Sequence, residues 1–294
     1  MNPQLTWHAS LPASRLHAAW AAAAGRAIVD PTLRERVAQP GLALAREMAA
    51  CGWPAEAAWT HLVALSPGVP NPRELTELVW RKLRGGSCPN EAAVAISGHL
   101  RAILAAGDDE AQSARQLELR TRPLRQQWEA RGPGLMRALA DFTEPDLLVE
   151  RADVLVVSPA TGGDGRAHAL YNSVRIEGLL ANADPRLPEV VRLGWLLAQL
   201  NLELPIFSEQ VDQRRLPRLG ELATLPAILR AAEEVELARL DAATVQLALD
   251  SWHITAPPLA ELPALLLSWW STYQAGRPRW AIALRALDQM LTGG

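Results

Sequence analysis

Pro188-Glu-Val-Val-Arg-Leu-Gly-Trp-Leu-Leu-Ala-Gln-Leu-Asn201 is the stretch on which the reading of this chain turns. Proline at its head is pre-set for the start of a helix. Val190, Leu193, Leu197 and Leu200 fall on one helical face, and Val191 and Trp195 widen it. Only Glu189, Arg192 and Gln199 form a polar stripe, so nearly the whole circumference is expected to be enclosed. Gly194 would let a second backbone come close.

Just before it the texture is different from the rest of the chain. Asp153-Val-Leu-Val-Val157 has the β-preferring character of a strand buried on both faces. Pro159 to Ala169 reads as a glycine-rich loop. From Tyr171 the sequence alternates, with Asn172, Val174 and Ile176 on one side and Tyr171, Ser173, Arg175 and Glu177 on the other. A loop of this length favours antiparallel pairing of the two strands. Two strands cannot stand alone, and the apolar helix is the surface on which they are expected to pack.

Everything else predicts helix. Ser14 is a plausible cap for a first helix, and Asp30-Pro31 and Asn71-Pro72-Arg-Glu74 carry cap and N1-proline patterns. Pro40-Gly41 is expected to open a separate helix, and Gly85-Gly86 to close one. A polar helix from Glu110 should kink at Pro123 and end at Gly132-Pro133-Gly134, with a short helix from Leu135 to Phe142 after it. Towards the C-terminus, helices are expected over Leu222–Leu240, Thr244–Trp252, Leu259–Gln274 and Arg279–Leu291, broken at Pro257-Pro258 and Gly276-Arg-Pro278. The fold class is therefore mainly α with a small antiparallel β element (α+β). Gly107-Asp108-Asp109 is the expected boundary between a helical half, residues 1–107, and an α+β half, residues 108–294, with its hairpin at about 153–180 and its organising helix at 188–201.

Composition narrows the function classes. Of 294 residues 49% are apolar and 21% charged, the balance of a globular protein, and the formal net charge is −3. The chain carries no basic excess of the kind that tracks nucleic acid. No apolar run reaches bilayer length, and the alanine run Ala18–Ala24 is not a signal sequence, so a cytoplasmic protein is expected. Cys51 and Cys88 are too few for a disulfide framework and are expected to be ordinary half-buried thiols.

Four constellations bear on chemistry. Thr161-Gly-Gly-Asp-Gly165 could present backbone N–H groups to a phosphate, but it leads towards a strand and lacks the Gly-Lys-Ser/Thr of a P-loop. Asp164, His168, Tyr171, Ser173, Arg175 and Glu177, with Glu189 and Arg192 from the helix, are the candidate ligand-binding residues, His168 and Asp164 forming an acid–base pair beside Ser173. The order strand, strand, buried helix is that in which zincin-type metallopeptidases carry their His-Glu-x-x-His helix. Val191-Arg-Leu-Gly-Trp-Leu196 has neither residue in place and the six histidines are scattered, so no metal and no cofactor is expected and a metal-free zincin-like layout has no ligands to support it. Among eleven tryptophans, Trp269 and Trp270 point about 100° apart on a helix, so one exposed ring could anchor a partner.

The resulting expectation is a non-catalytic interaction or scaffold protein using helical faces and exposed tryptophan, with a protein partner and neither nucleic acid nor membrane. The alternative is an enzyme or small-ligand binder whose cleft lies between the Gly162–Gly165 loop, the 171–177 strand and the 188–201 helix.

Overall fold

The first segment to take shape is one the helical reading passed over. In a computed structural model, which describes residues 3–107, 109–255 and 261–292, strand β1 (Gln4–Ala9) alternates Leu5, Trp7 and Ala9 inward with Gln4, Thr6 and His8 exposed. Ser10, not Ser14, then caps helix α1 (Leu11–Ala23) by accepting from the Ala13 N–H. Ser14 is buried one turn in, where its hydroxyl donates to the Ser10 carbonyl. Asp30 caps α2 (Pro31–Ala50) as its spacing predicts, accepting from Thr32 and Leu33. Pro40-Gly41 lies inside α2 instead of opening a new helix. The helices α3 (Ala55–Leu65), α4 (Pro72–Arg84) and α5 (Asn90–Leu104) follow, and the Asn71 cap on α4 is made as expected.

Helix α6 (Glu110–Phe142) corrects a second expectation, because it runs unbroken through Pro123 and Gly132-Pro133-Gly134. Each proline deprives the carbonyl four residues earlier, on Leu119 and Glu129, of its donor, but both of those residues are exposed and water can serve them. On the other side Leu117, Leu124, Trp128, Leu135 and Leu139 form one buried stripe. Packing of that stripe outweighs the local stop signals. Gly132 lies flat under Trp128, where a Cβ would fall 2.5 Å from the indole.

Strands β2 (Arg151–Val157), β3 (Gly165–His168) and β4 (Ser173–Glu177) complete a four-stranded mixed sheet in the order β1-β2-β4-β3. The antiparallel hairpin is β3–β4, with Arg166 opposite Arg175 and His168 opposite Ser173. Strand β3 thus lies in the segment read as loop, and β2 sits on the far side of β4, joined to it where the Asp153 N–H donates to the Asn172 carbonyl at 3.1 Å. β1 runs parallel to β2, with Gln4 N–H on the Glu150 carbonyl and Ser10 N–H on that of Val156.

Helix α7 (Glu189–Leu197) is the enclosed helix that its composition predicts: every one of its residues is buried. It lies against β3, where a Cβ on Gly165 would come 2.7 Å from Leu196 Cδ1. The room left by Gly194 is taken by the side chains of Leu135 and Ile228, not by another backbone. Burial of Val190, Leu193, Leu196 and Leu197 stabilises the arrangement by about 1.5–3 kcal/mol each. After the short α8 (Pro205–Ser208), α9 (Leu216–Glu234) packs on α7 and ends earlier than expected, with Glu236 at φ 57. Helices α10 (Ala242–Ser251), α11 (Leu262–Gly276) and α12 (Trp280–Thr292) finish the chain. The expected breaks at Asp108 and Pro257-Pro258, and a helix start at Leu259, fall outside the described residues.

Two compact units partition the chain. One holds residues 7–121 and 155–162, the other residues 1–6, 122–154 and 163–294. The first has its own core around α1, whose Ala13, Leu16, Ala18 and Ala19 meet Leu44, Leu62, Leu75 and Leu100. Its α5 also offers a clean stability test. Gly98 is exposed in mid-helix with nothing within 4 Å of an added Cβ, so Gly98→Ala is expected to raise unfolding free energy by about 0.5–1 kcal/mol, read from the urea midpoint.

Candidate functional site

The alternating polar side chains of β4 do not face water. Ser173, Arg175 and Glu177 are all buried, as are Asp164 and His168 before them and Glu189 and Arg192 on α7. Burying ionised groups is costly unless each finds a partner, and here they largely do. The Asp164 carboxylate pairs with Arg175 at 3.4 Å. A Glu177 carboxylate oxygen accepts from the Gly163 and Asp164 N–H groups at 2.7 and 3.3 Å. The guanidinium of Arg192 donates to Glu189 and to the Glu177 carbonyl. Its Nε and Nη1, also buried, meet no acceptor among the described residues.

The glycine-rich loop therefore does use its N–H groups on an anion, but the anion is Glu177 of the same chain. Gly163 is required because a Cβ there would come 3.0 Å from the Ser251 carbonyl and 3.5 Å from Arg192 Nη1. Burial pushes the Glu189 carboxyl upward, against the pull of Arg192. Burial also lowers Arg175, to about 10, which leaves it a cation at neutral pH, and raises the half-buried Tyr171 hydroxyl to about 12, which leaves it protonated.

Of the eight predicted residues, Asp164, Arg175, Glu177, Glu189 and Arg192 come together in this network, and His168 and Ser173 face each other across the hairpin. Tyr171 falls in the 3-10 turn before β4. The Asp164 carboxylate is turned to Arg175. None of the eight lines any of three clefts found among the described residues. Where loop, strand and helix meet, the side chains of the ion network are buried.

The two tryptophans expected to offer an exposed ring are both enclosed. Trp269 and Trp270 are both buried, at 3% exposure, stacked around Tyr273 and Trp280, with the Trp269 indole donating to the Ala283 carbonyl at 2.9 Å. Adjacent helical positions can both be enclosed when α11 is covered on two sides, which the sequence of α11 alone does not reveal. None of the eleven tryptophans is fully exposed.

The clefts lie elsewhere. One, of about 740 Å³, has Leu148, Val149 and Leu200 at its base and the exposed Leu170, Leu204 and Ile206 around it. A smaller hollow of about 50 Å³ adjoins it, sharing Ala169 and Glu203. A third, of about 620 Å³, lies in the unit of residues 7–121 and 155–162. These residues come from distant stretches of sequence, and no local pattern marks them. Among the described residues no group of three or more histidine, cysteine, aspartate or glutamate side chains could hold a metal ion, and no helix is long and apolar enough to cross a membrane. Comparison with known proteins gave no matching family, no similar curated protein and no similar solved structure.

Proposed function

We propose that this is a non-catalytic protein-binding protein whose docking surface is the 740 Å³ groove beside β4, not a tryptophan-bearing helix face. The observation that carries the reading is the clustering there of Leu170, Leu204 and Ile206, at 71, 44 and 41% exposure, over an apolar base. Leaving one large aliphatic residue in water is ordinary; three around one groove is the make-up of a docking patch. Asp146, Glu150 and Glu203 line the same groove against a single Arg151, so it is acidic. The matching partner is a basic segment carrying bulky aliphatic anchors. Satisfied internal pairing of Glu177, Arg175 and Asp164 favours a structural role for the ion network over a reactive one. A cytoplasmic setting suits Cys51 and Cys88, which are free thiols that burial pushes upward and keeps protonated.

Selection of displayed random peptides against the intact chain tests this. Peptides enriched in arginine or lysine with leucine, isoleucine or phenylalanine are expected, and the double variant Leu170→Asp, Ile206→Glu should bind them at least about tenfold more weakly. Enrichment of the same peptides on parent and variant, or of none on the parent, would end the reading.

A further inference from the structure

We infer that the small hollow beside the docking groove seats one lysine side chain of the bound segment, an inference that rests on the groove being the docking surface. The hollow, of about 50 Å³, shares Ala169 and Glu203 with the groove, so a side chain projecting from a segment in the groove can enter it. Its walls come from β3, the turns after α7 and the start of α9.

Two acceptors in the hollow lack donors. Gln199 is 9% exposed, and its Nε2 donates to the Trp195 carbonyl at 3.0 Å. A carbonyl can only accept, so that bond fixes which end of the amide is the nitrogen. Oε1 is then left with no donor among the described residues. The Glu203 carboxylate also has no partner among the described residues. Withdrawal from water pushes its pKa up, and no cation pulls it back. Glu221 adds a second carboxylate and Arg166 a single guanidinium, so whatever Arg166 pairs with, one negative charge is left over. Trp195 holds both sides in place, because its indole donates to the Glu221 carbonyl at 3.0 Å. Acceptors fixed in advance lose little further freedom when a donor arrives.

The donor that fits is an ammonium at the end of an apolar stem. Leu202 and Leu216, at 3 and 1% exposure, give the hollow with Pro217 an aliphatic lining that methylene groups can cover. A space of about 50 Å³ admits only a few non-hydrogen atoms in line, which is the end of a lysine chain. The N–H donors of an ammonium spread in different directions and can serve an amide oxygen and a separate carboxylate together. A guanidinium instead presents a flat fork matched to one carboxylate. An aliphatic tip would shut water away from Glu203 and Gln199 Oε1 and offer neither a donor.

The test uses the full chain and a peptide that selection on the parent enriches, with affinity read by calorimetry. One position of the enriched peptides is expected to be constantly lysine. Changing that lysine to norleucine keeps the stem and drops the ammonium, and should weaken binding about tenfold or more, as should arginine. Glu203→Gln should weaken the lysine peptide about tenfold and leave the affinity for the norleucine peptide unchanged, so the two changes are not additive. Glu203 is exposed, and the free variant should keep the Tm of the parent. Enriched peptides with no constant lysine, equal binding of the lysine and norleucine forms, or equal binding of the lysine peptide by Glu203→Gln and parent would each overturn the lysine seat. The groove would survive those results if Leu170→Asp, Ile206→Glu still lost the peptides; enrichment of no peptide at all would remove both.

Discussion

Arg192→Met is expected to lower the unfolding free energy by about 3–5 kcal/mol. The parent guanidinium is 0% exposed and donates to the Glu189 carboxylate and the Glu177 carbonyl. Methionine keeps much of the volume, so the loss is not mainly a cavity. It comes from leaving the Glu189 charge buried at 5% exposure with its cation gone, and a carbonyl without one of its donors. Removing the acid as well, in Arg192→Met with Glu189→Gln, should recover most of the deficit, because no carboxylate is then held out of water without a cation. The pH dependence has a definite sign. Burial already raises the Glu189 pKa in the folded state, so stability tied to its protonated form is full below the ordinary value of 4.5 and is lost as pH rises through the raised one. The Arg192→Met deficit should therefore shrink on acidification towards 4.5. Urea unfolding of the parent, both single variants and the double variant at two pH values measures all of this; a single variant within about 1 kcal/mol of the parent would mean the pair is not closed off from water.

Gly41→Val should be comparably damaging for the opposite reason, too much matter instead of too little charge. In the middle of α2 a Cβ on Gly41 would lie 2.7 Å from the Ala19 carbonyl oxygen and 3.2 Å from its Cα. Those are backbone atoms of α1 and cannot rotate aside, so the two helices must move apart and the alanine-lined contact between them opens. A loss of about 1–3 kcal/mol is expected for Gly41→Ala despite its better helix propensity, and more for valine. The contrast with Gly98→Ala is the control: the same substitution in a neighbouring helix gains stability where nothing stands in the way of the new methyl. Should Gly41→Ala also stabilise in thermal unfolding, the close approach of α1 and α2 is wrong.

How much of this could be read from residues alone follows from what each signal encodes. Helix α7 was legible because burial all round needs apolar residues all round, and no neighbour has to be known to see it. The Asp30 and Asn71 caps were legible because capping is local. Strand β1 carried a clear alternation, Leu5, Trp7 and Ala9 against Gln4, Thr6 and His8, but six residues next to an alanine-rich helix give it little weight. The continuity of α6 was not legible, since Pro123 and Gly132-Pro133-Gly134 state a local preference that a buried stripe elsewhere on the helix overrules. Alternation in β4 told which side chains share a face and not what covers that face. That is why the eight candidate residues include a set that comes together, from Asp164 to Arg192, yet with its charged side chains buried. The cleft of about 620 Å³ gathers Arg15, Arg36 and Arg120 across a hundred residues of chain, and nothing short of the fold brings them together.

The partnering of β1 with β2 sets a timetable for synthesis. Gln4 leaves the ribosome before Glu150, whose carbonyl it bonds to and which lies 146 residues further on. Until that point is translated the first strand has no edge to join, and Ser14 has no Ser158 N–H to accept. Strand β1 must wait, with Leu5 and Trp7 unprotected, so it is a segment of the nascent chain open to capture by a chaperone.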